Sequence, residues 1–179
     1  MTRSIGRWLI IAVAATCLLG VSYRSARAGA PARDELNPSE QNLAIIVNTA
    51  NPLDGLSMSE LRKIFLGERS HWPNGRRITL VMMVPGQPER KALIREVCQM
   101  NESDFSRHFL HGLFTGEVFV SPKTLASPVG VRKFVFNVPG AIGYVRATDV
   151  DSSVKVLRVD GRLPDDKEYS LRIPPPAAQ

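Results

Sequence analysis

The sequence predicts a mixed α/β domain, with a mostly parallel sheet and helices on both faces. Three observations predict it. Short β-branched apolar runs alternate with segments of helical period. One run, "ITLVMMV" (78–84), is apolar along its whole length, as expected of a parallel strand buried on both sides. Helix starts carry capping residues, as at Ser57, Asn101 and Ser127-Pro128. The predicted order, β-α-β-α-α-α-β-β, alternates early, and that pattern favours a layered α/β architecture.

The first 28 residues stand apart from the fold. Arg3 and Arg7 precede "WLIIAVAATCLLGV", an apolar core of 14 residues, and Ala26-Arg27-Ala28 places small residues where a signal peptidase cuts. This predicts a secretory signal cleaved after Ala28 and an exported protein. The apolar core falls short of the roughly 20 residues needed to span a bilayer, which disfavours an uncleaved anchor. A lipid anchor on Cys17 is disfavoured because "AATC" lacks the leucine expected three residues earlier. Residues 29–42, polar with two prolines, read as a flexible leader.

Removing the signal changes the charge balance. Four of the 23 cationic residues and none of the 17 acids lie in it, so the formal charge of residues 29–179 is +2 rather than +6. That is too little to argue for nucleic acid or an anionic membrane, and aromatics are too few for a stacking surface. One cysteine, Cys98, remains. It has no partner for an internal disulfide, so packing must stabilise the fold in an oxidising compartment.

The elements follow in order. "LAIIVNT" (43–49) is a strand and "ANPLDGL" a turn. Ser57-Met-Ser-Glu60 is a capping box that opens a helix with the stripe Met58, Leu61, Ile64 and Phe65, and Gly67 ends it. "ERSHWPNGRR" is a loop with an Asn-Gly turn. After the second strand a helix starts near Pro88, with Leu93, Val97 and Met100 on one side. Asn101 caps a third helix with the stripe Phe105, Phe109 and Leu113. "TGEVFVSPKTLA" is a long connection, and a fourth helix from Ser127 carries Val131, Phe134, Val135 and Val138 to Pro139-Gly140. "AIGYVRA" and "VKVLRVD" are strands, and residues 173–179 form a disordered tail.

Candidate chemistry is sparse. Asp104, His108 and His111 lie on one side of the third helix, a spacing able to bind zinc, but no fourth ligand is identifiable and the group flanks the wet side. His71 is alone in a loop, and Asp165-Asp166 read as solvated. There is no G-x-S-x-G, cysteine pair or carboxylate pair with a reason for shifted acidity. The sequence therefore predicts a protein that is not an enzyme and holds no metal or cofactor.

Three segments together resemble the periplasmic phosphate-binding proteins of ABC transporters: "NPLDGLSMSELRKIFLGERSHWPNG", "VPGAIGYV" with the "VKVLRVDG" that follows, and "YSLR". The resemblance runs from about residue 43 to 172. It implies one lobe of a type II periplasmic binding protein, a fold whose two lobes close on a ligand. The first lobe portion has no counterpart before residue 43, nor the long C-terminal continuation after "IPPPAAQ". In the family, a turn resembling R-x-D-G-S-G-T donates to phosphate at a helix start. Here Met83 stands at the arginine position and Pro85 at the aspartate, while Gln87, Pro88 and Glu89 replace S-G-T; only Gly86 and the apolar Leu93 persist. Gly86, Gln87, Glu89, Arg90 and, at the first helix start, Ser57 are the ligand candidates the resemblance implies.

Elementary chemistry weakens that turn. Met83 donates no hydrogen bond, Pro88 has no N–H, and Glu89 puts a carboxylate in the helix's first turn. Gln87 is placed to cap. The expectation is weak or lost binding of phosphate or another small anion, with a membrane transporter or sensor as protein partner. The alternative is an interaction or sensory adaptor module built on the same lobe.

Overall fold

The computed structural model describes residues 42–174. The predicted signal, nearly all of the leader and most of the tail lie outside them. Seven strands and four α-helices are described: β1 Leu43–Asn48, β2 Gly55–Leu56, α1 Met58–Phe65, β3 Thr79–Met83, α2 Pro88–Leu93, α3 Glu102–Thr115, β4 Lys123–Leu125, α4 Pro128–Asn137, β5 Ala141–Arg146, β6 Val154–Val156 and β7 Arg158–Val159.

Five strands form one sheet in the order β4-β3-β5-β1-β6. β3 is parallel to β4 and to β5, while β1 is antiparallel to β5 and to β6. Four strands therefore point one way and β1 alone points back, so the sheet is mixed and mostly parallel. β2 and β7 pair in parallel as a separate ribbon.

Alternation along β5 separates the two faces. Gly143 faces Val131 and Val135 of α4, and an added Cβ would sit 3.0 Å from Val131. Its neighbour Tyr144 points to the opposite face, where its ring lies 6.0 Å from that of Phe65 in α1. Every residue of β1, and Leu80 through Met83 of β3, is buried, as expected of strands covered on both sides.

The capping predictions hold in detail. Ser57 Oγ accepts from Glu60 N–H while Glu60 accepts from Ser57 N–H, closing the box. Asn101 Oδ1 accepts from Asp104 N–H, and Ser127 Oγ from Gly130 N–H. Asn48, buried at the end of β1, donates to the carbonyls of Val135 and Phe136 and so caps the other end of α4. Tyr169 Oη donates to Leu43 O, and Leu43 N–H donates to Leu171 O, tying the C-terminal segment beside β1.

Four expectations are corrected. The helix from Pro88 keeps α geometry only to Leu93, and Ile94–Cys98 is a π-helical turn closed by Gln99 in the left-handed region at φ 57°. Ile94, Val97 and Cys98 are buried along this turn, and Met100 N–H donates back to Ile94 O at 3.2 Å. The long connection contains β4, a short and largely exposed edge strand with no apolar run to betray it. The α3 stripe is Phe105, Phe109 and Gly112; Leu113 is 52% exposed, because Val118 folds back onto Gly112 and completes that side. Gln87 occupies the N-cap position of α2 but makes no side-chain cap bond, since its extra methylene overshoots the reach of the shorter capping residues.

Candidate functional site

In open α/β sheets, ligands sit outside the carboxyl ends of the parallel strands. Here that edge is formed by Met83 of β3, Leu125 of β4 and Arg146 of β5, with the turn 84–87 and the start of α2 above it. β3 and β5 pair only through Thr79 and Leu80, and then part. Tyr144 Oη fills the parting by accepting from Met83 N–H at 3.0 Å. Burial pushes its hydroxyl well above the usual phenol range, so it stays protonated.

Gly86 adopts φ +94°, a conformation open to glycine and strained for other residues. Nothing lies within 4 Å of where its Cβ would be, so the turn's backbone geometry, rather than crowding, calls for glycine. Gln87 is half-buried and Pro88 exposed, and Pro88 brings no amide to the helix start.

The charged residues of the turn are engaged within the molecule. Arg90 is 6% exposed. Its Nε donates to both carboxylate oxygens of Glu102, at 2.9 and 3.1 Å, its Nη2 lies 2.7 Å from Glu102 Oε1, and its Nη1 donates to Met83 O at 2.8 Å. The guanidinium also sits 5.5 Å from the Phe105 ring centre. Glu89 is 5% exposed, and its carboxylate accepts from Arg146 Nε at the end of β5. Two arginines and two glutamates thus form two closed pairs whose charges sum to zero. Lys91 stays exposed on α2.

Arg146 and Glu102 are the members that sequence reasoning overlooked. The sequence carried no signal for Arg146, which reaches the turn's edge only because β5 pairs with β3. Glu102 had none either, since only the fold brings the start of α3 beside α2.

Ser57 sits at the start of α1, in its capping box. Its hydroxyl bonds with Glu60 and Ser59, and no hydrogen bond among the described residues joins it to residues 84–90. Asp104 is held by Asn101 and Arg107, His108 Nε2 bonds to Leu66 O at 2.9 Å, and His111 is exposed. Among the described residues no cluster of His, Cys, Asp and Glu is grouped to hold a metal ion. Two open clefts, of about 240 Å³ beside Arg132 and Asp151 and about 200 Å³ beside Ala44 and Leu163, are lined by none of residues 84–90. No helix among the described residues is long and apolar enough to cross a membrane.

No protein-family model matches the chain. Solved structures do share its fold. An ABC-type phosphate transport receptor from Vibrio cholerae superposes with a TM-score of 0.57 at 20% identity, over 69% of this chain and 48% of its own. A putative phosphate ABC transporter substrate-binding protein from Clostridium perfringens, solved with bound phosphate, gives 0.56 at 22% identity, over 68% and 46%. PstS from Borrelia burgdorferi gives 0.56 at 14% identity, over 74% and 55%. The chain spans about half the length of these structures. It has the fold of one lobe of a periplasmic binding protein.

Proposed function

We propose that this protein is an exported solute-binding-type lobe of the phosphate ABC transporter class whose own affinity for phosphate is weak or lost. The observation that carries this reading is the pairing of both arginines at the strand edge with internal carboxylates, Arg146 with Glu89 and Arg90 with Glu102. A phosphate dianion approaching the turn meets a buried carboxylate where it needs donors, and a proline where it needs an amide. Each missing charge-assisted bond is worth about 1.5–3 kcal/mol, and every 1.4 kcal/mol is tenfold in affinity. Losing several moves a micromolar site to the millimolar range or beyond. Lys91, exposed on α2, supports no more than that.

The protein is accordingly not an enzyme, and it acts in phosphate-linked uptake or sensing through a small anion held loosely or through a membrane transporter or sensor. Calorimetric titration of the exported form with orthophosphate tests it: the expected outcome is no binding tighter than roughly millimolar. A micromolar dissociation constant would refute it.

A second reading, an adaptor module that has given up the ligand, is favoured by the depth at which Glu89 is buried, since a residue so placed is part of the packing. Recovery of a transporter or sensor component on tagged protein, with no effect of added phosphate, would favour the adaptor.

A further inference from the structure

Four of the six large apolar side chains that the described residues leave exposed fall within ten residues: Leu110 at 63%, Leu113 at 52%, Phe114 at 85% and Phe119 at 57%. They do not belong to a loose helix end. The inner face of α3 is already packed through Phe105, Phe109 and Gly112. The chain beyond is pinned back: Val118 N–H donates to Gly112 O at 3.1 Å and Phe119 N–H to Gly67 O at 2.8 Å. Gly112 must be glycine, because a Cβ there would lie 2.3 Å from Val118 Cγ2. The apolar surface is therefore displayed on a fixed base.

Its flanks differ in sign. Arg107 borders it toward the start of α3, exposed His111 lies between Leu110 and Leu113 in sequence, and Glu117 follows the left-handed Gly116 that ends the helix. Arg107 has only an exposed contact with Asp104 at 3.3 Å, and the ion pairs among the described residues leave Glu117 out. A two-fold interface uses the same patch on both subunits, so that patch must complement itself.

We propose that this surface pairs two copies of the chain, the outer face of α3 packing antiparallel on that of the second copy about a two-fold axis at the level of residue 112. In that arrangement Leu110 meets Phe114 of the second copy, and Arg107 faces Glu117 of the second copy, each twice. A membrane surface would call for cations on both flanks, and a different protein would call for no such symmetry. The four side chains expose on the order of 400 Å². That is about half of what each partner buries in a standard interface, so the dimer is weak and forms with rising concentration.

Sedimentation equilibrium of the exported form over a concentration series tests this. The expected result is a mass rising toward twice the monomer as concentration passes through roughly 10–500 µM. Phe114→Asp should weaken association at least tenfold, with thermal melts showing that the exposed substitution leaves the fold intact. Arg107→Glu and Glu117→Arg should each weaken it, and the double swap should restore it to within about threefold. A monomer across the whole range overturns the proposal. So does a dimer indifferent to Phe114→Asp, or a double swap that fails to restore association.

Discussion

Arg90 illustrates how one side chain can be read two ways. A cation at the start of a helix, after a glycine turn, has the position of an anion ligand. In the fold it is a strut: its guanidinium binds Glu102 through two nitrogens and also donates to Met83 O, at 6% exposure. Arg90→Ala should therefore lower stability, by about 2–4 kcal/mol in urea unfolding, below the full cost of breaking a buried pair because Glu102 is about a third exposed and can regain water. Arg90→Lys should recover only part, having no planar fork for both Glu102 and the carbonyl. A loss under about 0.5 kcal/mol for Arg90→Ala would show the strut to be idle. Single residues were legible where the physics is local. Met83, Pro88 and Glu89 disclosed the altered turn without any coordinates. The partners of Glu89 and Arg90 did not show, because Arg146 and Glu102 lie 57 and 12 residues away from them in sequence. Gly140 was legible as a glycine with a structural role but not for its reason: a Cβ there would lie 2.1 Å from Arg77 O, a close approach to the segment before β3 that no helix-ending rule anticipates.

At the scale of the element, caps proved the most readable feature. Side chains of Ser57, Asn101 and Ser127 each accept the amide that their spacing predicts. Ser57→Ala should cost about 1 kcal/mol. Glu60 has its acidity strengthened by Ser57's backbone N–H and hydroxyl, so its folded pKa lies below the unfolded value of 4.5. The stability it adds is present above that value and is lost as pH falls through the folded pKa. The deficit of Ser57→Ala against wild type should therefore narrow in acid, as urea midpoints at neutral pH and near pH 3 will show. The far end of α4 depends instead on Asn48, whose amide bonds two carbonyls from across the core. Asn48→Ala should destabilise by about 1–3 kcal/mol, the cost of leaving buried acceptors unmet, and amide exchange should quicken first along α4. What stayed hidden at this scale was geometry without a distinctive pattern. The π-turn at Ile94–Cys98 keeps an ordinary apolar composition, and β4 is three residues of exposed edge.

For the whole molecule, the alternation of elements was enough to place a mostly parallel sheet between helices, while β1's reversed direction was not visible until its partners were known. The core also holds three acidic protons out of water's reach. Burial pushes the Cys98 thiol up to about 12 from 9.0, and raises the Tyr144 and Tyr169 hydroxyls above the phenol range. Such groups stabilise the fold fully below their unfolded pKa values, and that contribution falls once the unfolded chain can shed the protons. Unfolding midpoints should accordingly decline from about pH 9 upward, with Cys98→Ala flattening the first part of the decline. The fold is that of one lobe of proteins about twice as long, and the proposed weakness of phosphate binding rests on the strand edge. The most direct measurement is a backbone amide shift titration of residues 84–91 with orthophosphate, run on wild type and Glu89→Gln. With Arg146 and Arg90 internally paired, the wild-type amides should stay still through low millimolar phosphate, and Glu89→Gln, which releases Arg146, should respond at lower concentration. Wild-type amides that saturate at micromolar phosphate, with Glu89→Gln no more responsive, would contradict the account.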